Sequence, residues 1–182
     1  MSASLLSNAN EGSPFIPKKE KDIVKTTVTL NNVKEGQSIT IKDLNGLILY
    51  RELINESGLY SKAFDLTNLP NGDYLFEHEK DMEISTIPFN VTSNKVTFEK
   101  NKVTTVFKPF VSVKDDFVFL TKLALNEEPL EVTIYSEDGQ LIHSEKITNT
   151  KTIGKTYKLF PNQNYRMVLK SNGREYYKNI TL

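Results

Sequence analysis

The sequence contains no cysteine and no tryptophan among its 182 residues. The absence of cysteine excludes disulfide bonds, thiol catalysis and metal sites built from thiolates. Without tryptophan, any hydrophobic core must be built from Phe, Tyr, Val, Ile and Leu. No apolar run approaches the ~20 residues that a membrane-spanning helix requires, so we expect no integral membrane segment.

An excess of either charge is also missing, because 23 basic residues balance 23 acidic ones. A nucleic-acid-binding protein needs a basic surface, so we expect no nucleic-acid partner. The balance also gives no electrostatic reason to bind an anionic membrane. Any partner must therefore be held by local apolar and hydrogen-bonding contacts.

The N-terminal residues 3–9 resemble the end of a signal peptide. A short apolar stretch leads to Ser7 and Ala9, small residues with the spacing that a signal peptidase recognises. A polar leader without a targeting role is the alternative. We therefore predict an exported protein, whether periplasmic, cell-surface or secreted, in which residues 1–22 are a signal-peptide remnant and a flexible tail.

The rest of the chain contains an internal repeat. Residues 39–54 align without a gap to residues 132–147, at an offset of 93 residues. Further blocks follow in the same order, which chance rarely produces. They pair residues 64–66 with 157–159, 69–74 with 160–165, and 87–91 with 178–182. The sequence thus predicts two domains of one kind, at residues 23–101 and 102–182.

Alternating apolar residues such as Ile39 and Ile41 predict short β-strands in each copy. Asn45-Gly46 and Asp138-Gly139 lie between two such strands, and both residues of these pairs favour the positive φ of a tight hairpin. No segment sustains a helical period. We therefore predict an all-β fold made of two tandem Ig-like antiparallel β-sandwich domains.

Each copy also has a proline-containing corner before a later strand. Tyr74 follows Pro70 by four residues, and Tyr165 follows Pro161 by four. The pattern predicts tyrosine corners, in which the hydroxyl bonds back to upstream backbone. The alternative is that Tyr74 and Tyr165 are ordinary core aromatics.

The motif Ile-Thr-Ile-Lys-Asp-Leu-Asn-Gly, followed by Phe-Asp-Leu-Thr-Asn-Leu-Pro-Asn-Gly-Asp-Tyr, resembles a known pattern. It is similar to the Ig-like C-terminal sorting domain of Bacteroidetes type IX secretion and to related Bacteroides-type secreted domains of unknown function. The matching residues are 39–50 and 64–74, with a weaker match at 132–143 and 157–165. The resemblance implies an Ig-like sandwich outside the cytoplasm.

Residues with catalytic or metal-binding chemistry are sparse. His78 and His143 align with Leu169 and Tyr50, which are packing positions, and no triad or carboxylate pair follows from the spacing. Acidic turn residues raise the possibility of calcium, but turn preference explains them equally well. We therefore predict no enzyme activity, no cofactor and no metal. These turn residues are Asp43, Asn45, Asp115, Asp116, Glu137 and Asp138.

The expected function is that of a non-catalytic exported structural or adhesion-type interaction protein. The alternative is a carbohydrate- or ligand-binding accessory protein of the cell envelope. Phe107, Pro109 and Phe110 concentrate apolar surface that would either bind a protein or cell-surface partner or pack the junction between the copies. Tyr176 and Tyr177 form a second candidate surface, because alternation turns one ring outward, where it could meet protein or sugar.

Overall fold

The computed structural model describes residues 16–19 and 25–182. These residues form sixteen β-strands and two single turns of 3-10 helix, at Leu66–Asn68 and Lys100–Lys102, with no α-helix. The all-β prediction is confirmed. The chain divides into two compact units. The first holds the described residues up to Lys80 and Ile84–Thr105, and the second holds Asp81–Glu83 and Val106–Leu182.

The first nine strands build two antiparallel sheets. One sheet has the order β1-β2-β5, and the other has the order β4-β3-β6-β7-β8, with β9 also pairing with β7. Their bounds are β1 (Ile16–Lys19), β2 (Thr26–Val33), β3 (Ser38–Asp43), β4 (Ile48–Leu53), β5 (Gly58–Phe64), β6 (Gly72–Glu79), β7 (Glu83–Thr92), β8 (Lys95–Phe98) and β9 (Thr104–Phe107).

Strand β1 departs from the flexible tail that the sequence predicts for residues 1–22. The backbone of Ile16–Lys19 pairs antiparallel with Thr26–Thr29 of β2, so these four residues are ordered by sheet hydrogen bonds. A tail composition does not prevent pairing, because the ladder uses backbone groups that every residue except proline supplies in full. The signal-like residues 3–9 lie outside the described residues.

The last seven strands build a second sandwich with the same plan. Its sheets have the orders β10-β11-β14 and β13-β12-β15-β16. The strand bounds are β10 (Phe110–Lys114), β11 (Phe117–Leu123), β12 (Leu130–Ser136), β13 (Leu141–Ile147), β14 (Thr152–Lys158), β15 (Asn164–Ser171) and β16 (Arg174–Thr181).

Strand registers match between the two sandwiches at central core positions. Ile41 lies opposite Phe76 in the first sandwich, and Ile134 lies opposite Met167 in the second. These four side chains are all buried. The pairing of Tyr74 with Phe89 is likewise reproduced by Tyr165 and Ile180.

The two sheets of each sandwich enclose a core. In the first, Phe64 from one sheet contacts Phe76 from the other edge to face, with ring centroids 6.1 Å apart. Apolar alternation along residues 117–125 also predicts Leu123 in the second core, but Leu123 is 43% exposed. Strand β11 buries Val118, Leu120 and Lys122, so alternation turns Leu123 to the outside.

In each hairpin turn, only the glycine of the Asn-Gly or Asp-Gly pair has a positive φ, whereas the sequence predicts it for both residues. Gly46 has φ of +89° and Gly139 has φ of +86°, whereas Asn45 and Asp138 do not have positive φ. Both loops close by the same bonds, from Gly46 N–H to the Asp43 carbonyl and from Gly139 N–H to the Ser136 carbonyl. The left-handed conformation follows the turn, as in a three-residue hairpin loop with a glycine bulge.

Both corner tyrosines bond back to the chain before their strand. The hydroxyl of Tyr74 donates to the carbonyl oxygen of Pro70 at 2.8 Å. The hydroxyl of Tyr165 lies 3.2 Å from the carbonyl oxygen of Phe160 and 3.1 Å from Oε1 of Gln163. This is tyrosine-corner geometry at Tyr74, with a second, side-chain acceptor at Tyr165.

Candidate functional site

Three phenylalanines stand on the outside of the sheet β10-β11-β14. Phe110 is 48% exposed, and Phe117 and Phe119 are each 38% exposed. Val118 and Leu120, between and beside them on β11, are fully buried. Strand alternation therefore places apolar side chains on both faces of β11, and only one face can enter the core. Exposed aromatic rings on one surface are typical of an interaction site.

We call the outward side of this sheet the Phe face. Cross-strand pairing places Phe117 between Lys114 and Lys158, and places Phe119 between Ser112 and Thr156. Phe117 and Phe119 lie 6.4 Å apart between ring centroids. The outward-facing residues of the three strands are Phe110, Ser112, Lys114, Phe117, Phe119, Thr121, Leu123, Thr152, Gly154, Thr156 and Lys158.

Charge on the Phe face is of one sign. Its ionisable side chains are Lys114 and Lys158, one on each side of Phe117. The Lys158 ammonium lies 5.7 Å from the ring centroid of Phe117, within the range of a cation–π contact. An apolar centre flanked by cations suits a partner that presents apolar groups beside carboxylates.

The described side chains of β2 and β5 in the first sandwich include no outward aromatic ring. The strand registers make Thr27 and Thr29 of β2 equivalent to Phe119 and Thr121 of β11. Thr29 faces Ser61 across the strands, with their hydroxyl oxygens 3.4 Å apart. The outward side chains of β2 and β5 at these positions are therefore Thr27, Thr29, Leu59, Ser61 and Ala63, a mixed set without an aromatic ring. The aromatic face is a property of the second repeat and not of the fold.

The residues proposed from sequence as interaction surfaces fall in different environments. Phe107 and Pro109 are half-buried, while Phe110 is exposed and belongs to the Phe face. Tyr176 is half-buried against the second core, and Tyr177 is 64% exposed. Both tyrosines lie on β16 in the opposite sheet of that sandwich, so the structure does not bring them together with Phe110.

Sequence reasoning missed Phe117 and Phe119 as surface residues. The signal was present, because residues 117–123 alternate between two apolar phases, Phe-x-Phe and Val-x-Leu. Either phase would suit a core. Lys122 does not identify the outward set of residues, because its charge suggests an exposed position while its side chain is in fact fully buried.

A cluster of hydrogen-bonded polar residues recurs in both sandwiches. Glu52 Oε2 accepts hydrogen bonds from Lys62 Nζ at 2.7 Å, from the Tyr60 hydroxyl at 3.0 Å and from the Tyr50 hydroxyl. Burial raises the pKa of Glu52, but these donors lower it more, so the pKa lies below the ordinary value. Burial and the nearby Glu52 carboxylate raise the pKa of Tyr60.

The equivalent carboxylate in the second sandwich is Glu145. It accepts from Lys155 Nζ at 2.9 Å and from the Tyr157 hydroxyl at 2.7 Å, while His143 Nε2 lies 3.4 Å away. Burial raises the pKa of Glu145, and the three partners lower it more, so the net shift is downward. Both carboxylate oxygens of Glu145 are engaged with protein groups, which favours a structural role.

Two further candidates for metal chemistry, His78 and Asp43, are also engaged within the protein. His78 is buried, with Nε2 2.8 Å from Gln37 Oε1. Asp43 Oδ1 accepts from the backbone N–H groups of Asn45 and Leu47, which explains this acidic turn residue. Across the described residues, no three histidine or acidic side chains are grouped to hold a metal ion.

An open depression of about 580 Å³ lies at one end of the second sandwich. It contains Glu137, whose Oε2 accepts from Asn164 Nδ2 at 3.1 Å. Its lining combines the β12–β13 turn with the ends of strands, and Ser136 donates to Asp138 within that turn. Its lining residues are Ser136, Glu137, Asp138, Asn162, Gln163, Asn164, Thr181 and Leu182.

Comparison with known proteins gives no family. No protein-family model matches this chain, and no curated protein matches it. One similar solved structure is described as "Biofilm associated protein - BSP domain", with 12% identity and a TM-score of 0.29. That match covers 85% of this chain and 27% of the other, so the chain spans about a quarter of that structure's length.

A second similar structure is described as "Structural basis of neurohormone perception by the receptor tyrosine kinase Torso". It shares 10% identity at a TM-score of 0.28, over 92% of this chain and 72% of the other. Neither similarity bears on function at scores this low. Within the part of the chain that the structure describes, no helix has the length and hydrophobicity to cross a membrane.

Proposed function

We propose that this chain is a non-catalytic interaction protein of adhesion type, which binds a protein partner through the Phe face. The observation that supports this proposal is the exposure of Phe110, Phe117 and Phe119 together on one sheet. Exposing three large apolar rings to water is unfavourable, and a partner that buries them would gain this free energy on binding. The equivalent strands of the first repeat have no aromatic ring at the matching positions Thr27 and Thr29, which supports a specific role because the same fold forms without the rings.

The chemistry of the face defines the partner that fits it. Aromatic rings supply the apolar centre, and truncation of such anchors often costs more than about 1 kcal/mol in binding. Lys114 and Lys158 flank that centre and would pair with carboxylates of the partner. With a net charge of zero, long-range steering is weak, so most of the affinity would come from direct contact.

A location outside the cytoplasm belongs to the same proposal. It is supported by the signal-like residues 3–9 and by the resemblance of residues 39–50 and 64–74 to Bacteroidetes secreted Ig-like domains. The absence of cysteine is compatible with this location, because exported proteins do not require disulfides. Detection of the chain in periplasmic, surface and medium fractions of its source cells would test the location directly.

Carbohydrate binding is the second candidate function. It is favoured by the placement of Phe119 between the hydroxyl-bearing residues Ser112 and Thr156. An aromatic ring offers an apolar surface to a sugar ring, and neighbouring hydroxyls can bond to it. The two candidates differ in the partner and share the surface.

The test compares the wild type with a triple variant, Phe110→Ser, Phe117→Ser and Phe119→Ser. Phe160→Ser is the matched control, because Phe160 is 76% exposed and lies outside the Phe face. Partners are captured by crosslinking from cell-envelope extract, identified, purified and remeasured by surface plasmon resonance. We expect the triple variant to weaken binding at least tenfold and the control to leave it unchanged.

A glycan array with the same three proteins separates the two candidates. Array signals that the triple variant loses would favour the carbohydrate function over the protein one. Equal binding of the triple variant and the wild type to every purified partner would refute the Phe face as the functional surface. Circular dichroism and thermal unfolding of each variant show that a loss of binding is not a loss of folding.

A further inference from the structure

Strands β7 and β16 occupy equivalent places in the two sandwiches. Tyr74 pairs with Phe89 of β7, and Tyr165 pairs with Ile180 of β16, so Ile180 takes the place of Phe89. The same offset of 91 residues relates Pro88 to Asn179 and Asn90 to Thr181. The two strands differ in what lies on their outer side.

The outer side of β7 is covered by further strands. β8 pairs antiparallel with it, with Asn90 opposite Thr97 and Phe89 opposite Phe98. Past the end of that ladder, Glu99 N–H donates to the Pro88 carbonyl at 2.9 Å. Phe98 also stacks on Phe89 at 5.0 Å between ring centroids. The first sandwich thus shows which backbone groups of β7 pair with an added strand, and which side chains of the two strands come into contact.

Among the described strands, none covers the equivalent groups of β16. Asn172 and Gly173, with φ of 53° and 68°, form a two-residue hairpin turn between β15 and β16. In such a hairpin the flanking pair is hydrogen-bonded, so alternate residues of β16 bond to β15 and the others direct their N–H and C=O outward. The outward set includes Tyr177, Asn179 and Thr181, and no strand that the structure describes pairs with them.

We propose that the outer edge of β16 binds an extended strand of a partner polypeptide, added antiparallel as β8 adds to β7. Backbone groups would give the affinity, and alternate side chains would give the specificity. This surface is separate from the Phe face. A failure of this proposal therefore leaves the proposed function standing.

The first sandwich also indicates the side chains that the partner strand needs. Val96 and Phe98 of β8 turn inward and pack against the first core. A residue like Phe98 would then meet Ile180, and a residue like Val96 would meet Leu182. Lys178 is an exposed cation where the equivalent Ile87 is buried. An acidic residue two places after the Phe would lie opposite Lys178 and pair with it.

The probe follows from these positions. It is a synthetic peptide with the sequence of residues 95–101, in two forms: native, and with Lys100→Glu to place an acid opposite Lys178. Each is titrated into the 182-residue chain, labelled with ¹⁵N, and followed by amide shifts and hydrogen exchange. We expect saturable shifts and slowed exchange centred on Asn179 and Thr181, with the Lys100→Glu peptide binding several-fold more tightly.

Two proline variants make the test specific. Thr181→Pro removes an outward N–H that the strand would use, and we expect at least a tenfold loss of peptide affinity. Asn179→Pro is the matched control, because Pro88 already occupies the equivalent position of β7 and bonds only through its carbonyl, which accepts from Glu99 just after β8. We expect that variant to bind within about threefold of wild type.

Several outcomes would overturn the proposal. Absence of shifts on β16 at millimolar peptide would do so, as would equal binding by Thr181→Pro and the wild type. A third such outcome is self-association through β16. It would appear as concentration-dependent sedimentation that Thr181→Pro abolishes. That result would assign the edge to a second copy of this chain.

Discussion

Glu52 and Glu145 lie 93 residues apart in sequence and occupy the same place in the two sandwiches. Each is bonded to a lysine ten residues further on, Lys62 and Lys155, across distances of 2.7 and 2.9 Å. The glutamates lie on β4 and β13, and the lysines lie on β5 and β14, which are edge strands of the opposite sheets. The two ion pairs therefore tie together the sheet edges at one side of each sandwich.

The acid stability of the second sandwich should depend on Glu145. The pKa of Glu145 is lower in the folded state, so folding is favoured at pH values above the unfolded pKa, near 4.5, and this contribution is lost as the pH falls through the folded pKa. We expect Glu145→Gln to cost about 1 kcal/mol at pH 7 and to flatten the pH dependence between about pH 5 and 3. Urea unfolding at several pH values measures both.

Glu131→Gln is the control for that experiment. Its pair with Lys146 is exposed, with 48% of the glutamate and 57% of the lysine side chain accessible, so removal should change stability little. An equal loss of stability in Glu131→Gln and Glu145→Gln would show that the Glu145 cluster has no special role. A steeper pH dependence in Glu145→Gln would contradict the direction of the pKa shift.

The hairpin glycines should not tolerate a β-branched residue. Gly46 and Gly139 have φ near +90°, where a side chain is penalised even though an added Cβ would meet no atom within 4 Å. We expect Gly46→Val and Gly139→Val each to lower the stability of its own sandwich by more than about 1 kcal/mol. Gly154→Val is the control, since Gly154 has equal space without a positive φ. In differential scanning calorimetry, we expect lower unfolding temperatures for Gly46→Val and Gly139→Val, and an unchanged or higher one for Gly154→Val.

Much of the fold could be predicted because the two copies constrain each other. The alignment of Ile41 with Ile134 and of Tyr74 with Tyr165 fixes strand identity and register without knowledge of either strand's environment. The same reasoning assigns turns, since Gly46 and Gly139 recur at one offset. Residues that recur in both copies are those that the fold requires, and at these positions the predicted strands and turns agree with the structure.

The candidate sites could not be found in this way, because they are the positions where the copies differ. The strand registers make Phe119 equivalent to Thr27 and Lys122 equivalent to Leu30, and residues so different are not aligned by sequence similarity. Alternation alone favours Leu123 as a core residue because leucine is more apolar than lysine. The structure reverses that assignment, since Glu128 provides Lys122 with a buried partner.

The tyrosine corners should contribute unequally to stability. Tyr74→Phe removes a 2.8 Å hydrogen bond to Pro70, and we expect a loss of about 1 kcal/mol. Tyr165→Phe removes two longer contacts, to Phe160 and Gln163, and should cost less. Urea midpoints of the two variants give the comparison, with the exposed Tyr177→Phe as a control. A larger loss in Tyr165→Phe would show that its second acceptor strengthens the corner.

Replacing Lys122 alone should destabilise the second sandwich, whereas replacing Lys122 together with Glu128 should be tolerated. Its side chain is fully buried on the inward side of β11, and Nζ donates to Glu128 Oε1 at 2.8 Å and to the Leu123 carbonyl at 3.0 Å. In the first sandwich the equivalent residue is Leu30, 1% exposed in the core. The position therefore accepts an apolar side chain when no acid lies nearby.

We expect Lys122→Met to cost about 3 kcal/mol, because it leaves the largely buried Glu128 carboxylate without its cation. Lys122→Met combined with Glu128→Gln should recover most of that loss, since no buried charge then remains. A double-mutant cycle by urea unfolding, with Glu128→Gln as the fourth corner, measures the coupling. Additive losses in the double variant would mean that the two charges do not stabilise each other, and that Lys122 acts through its aliphatic chain alone.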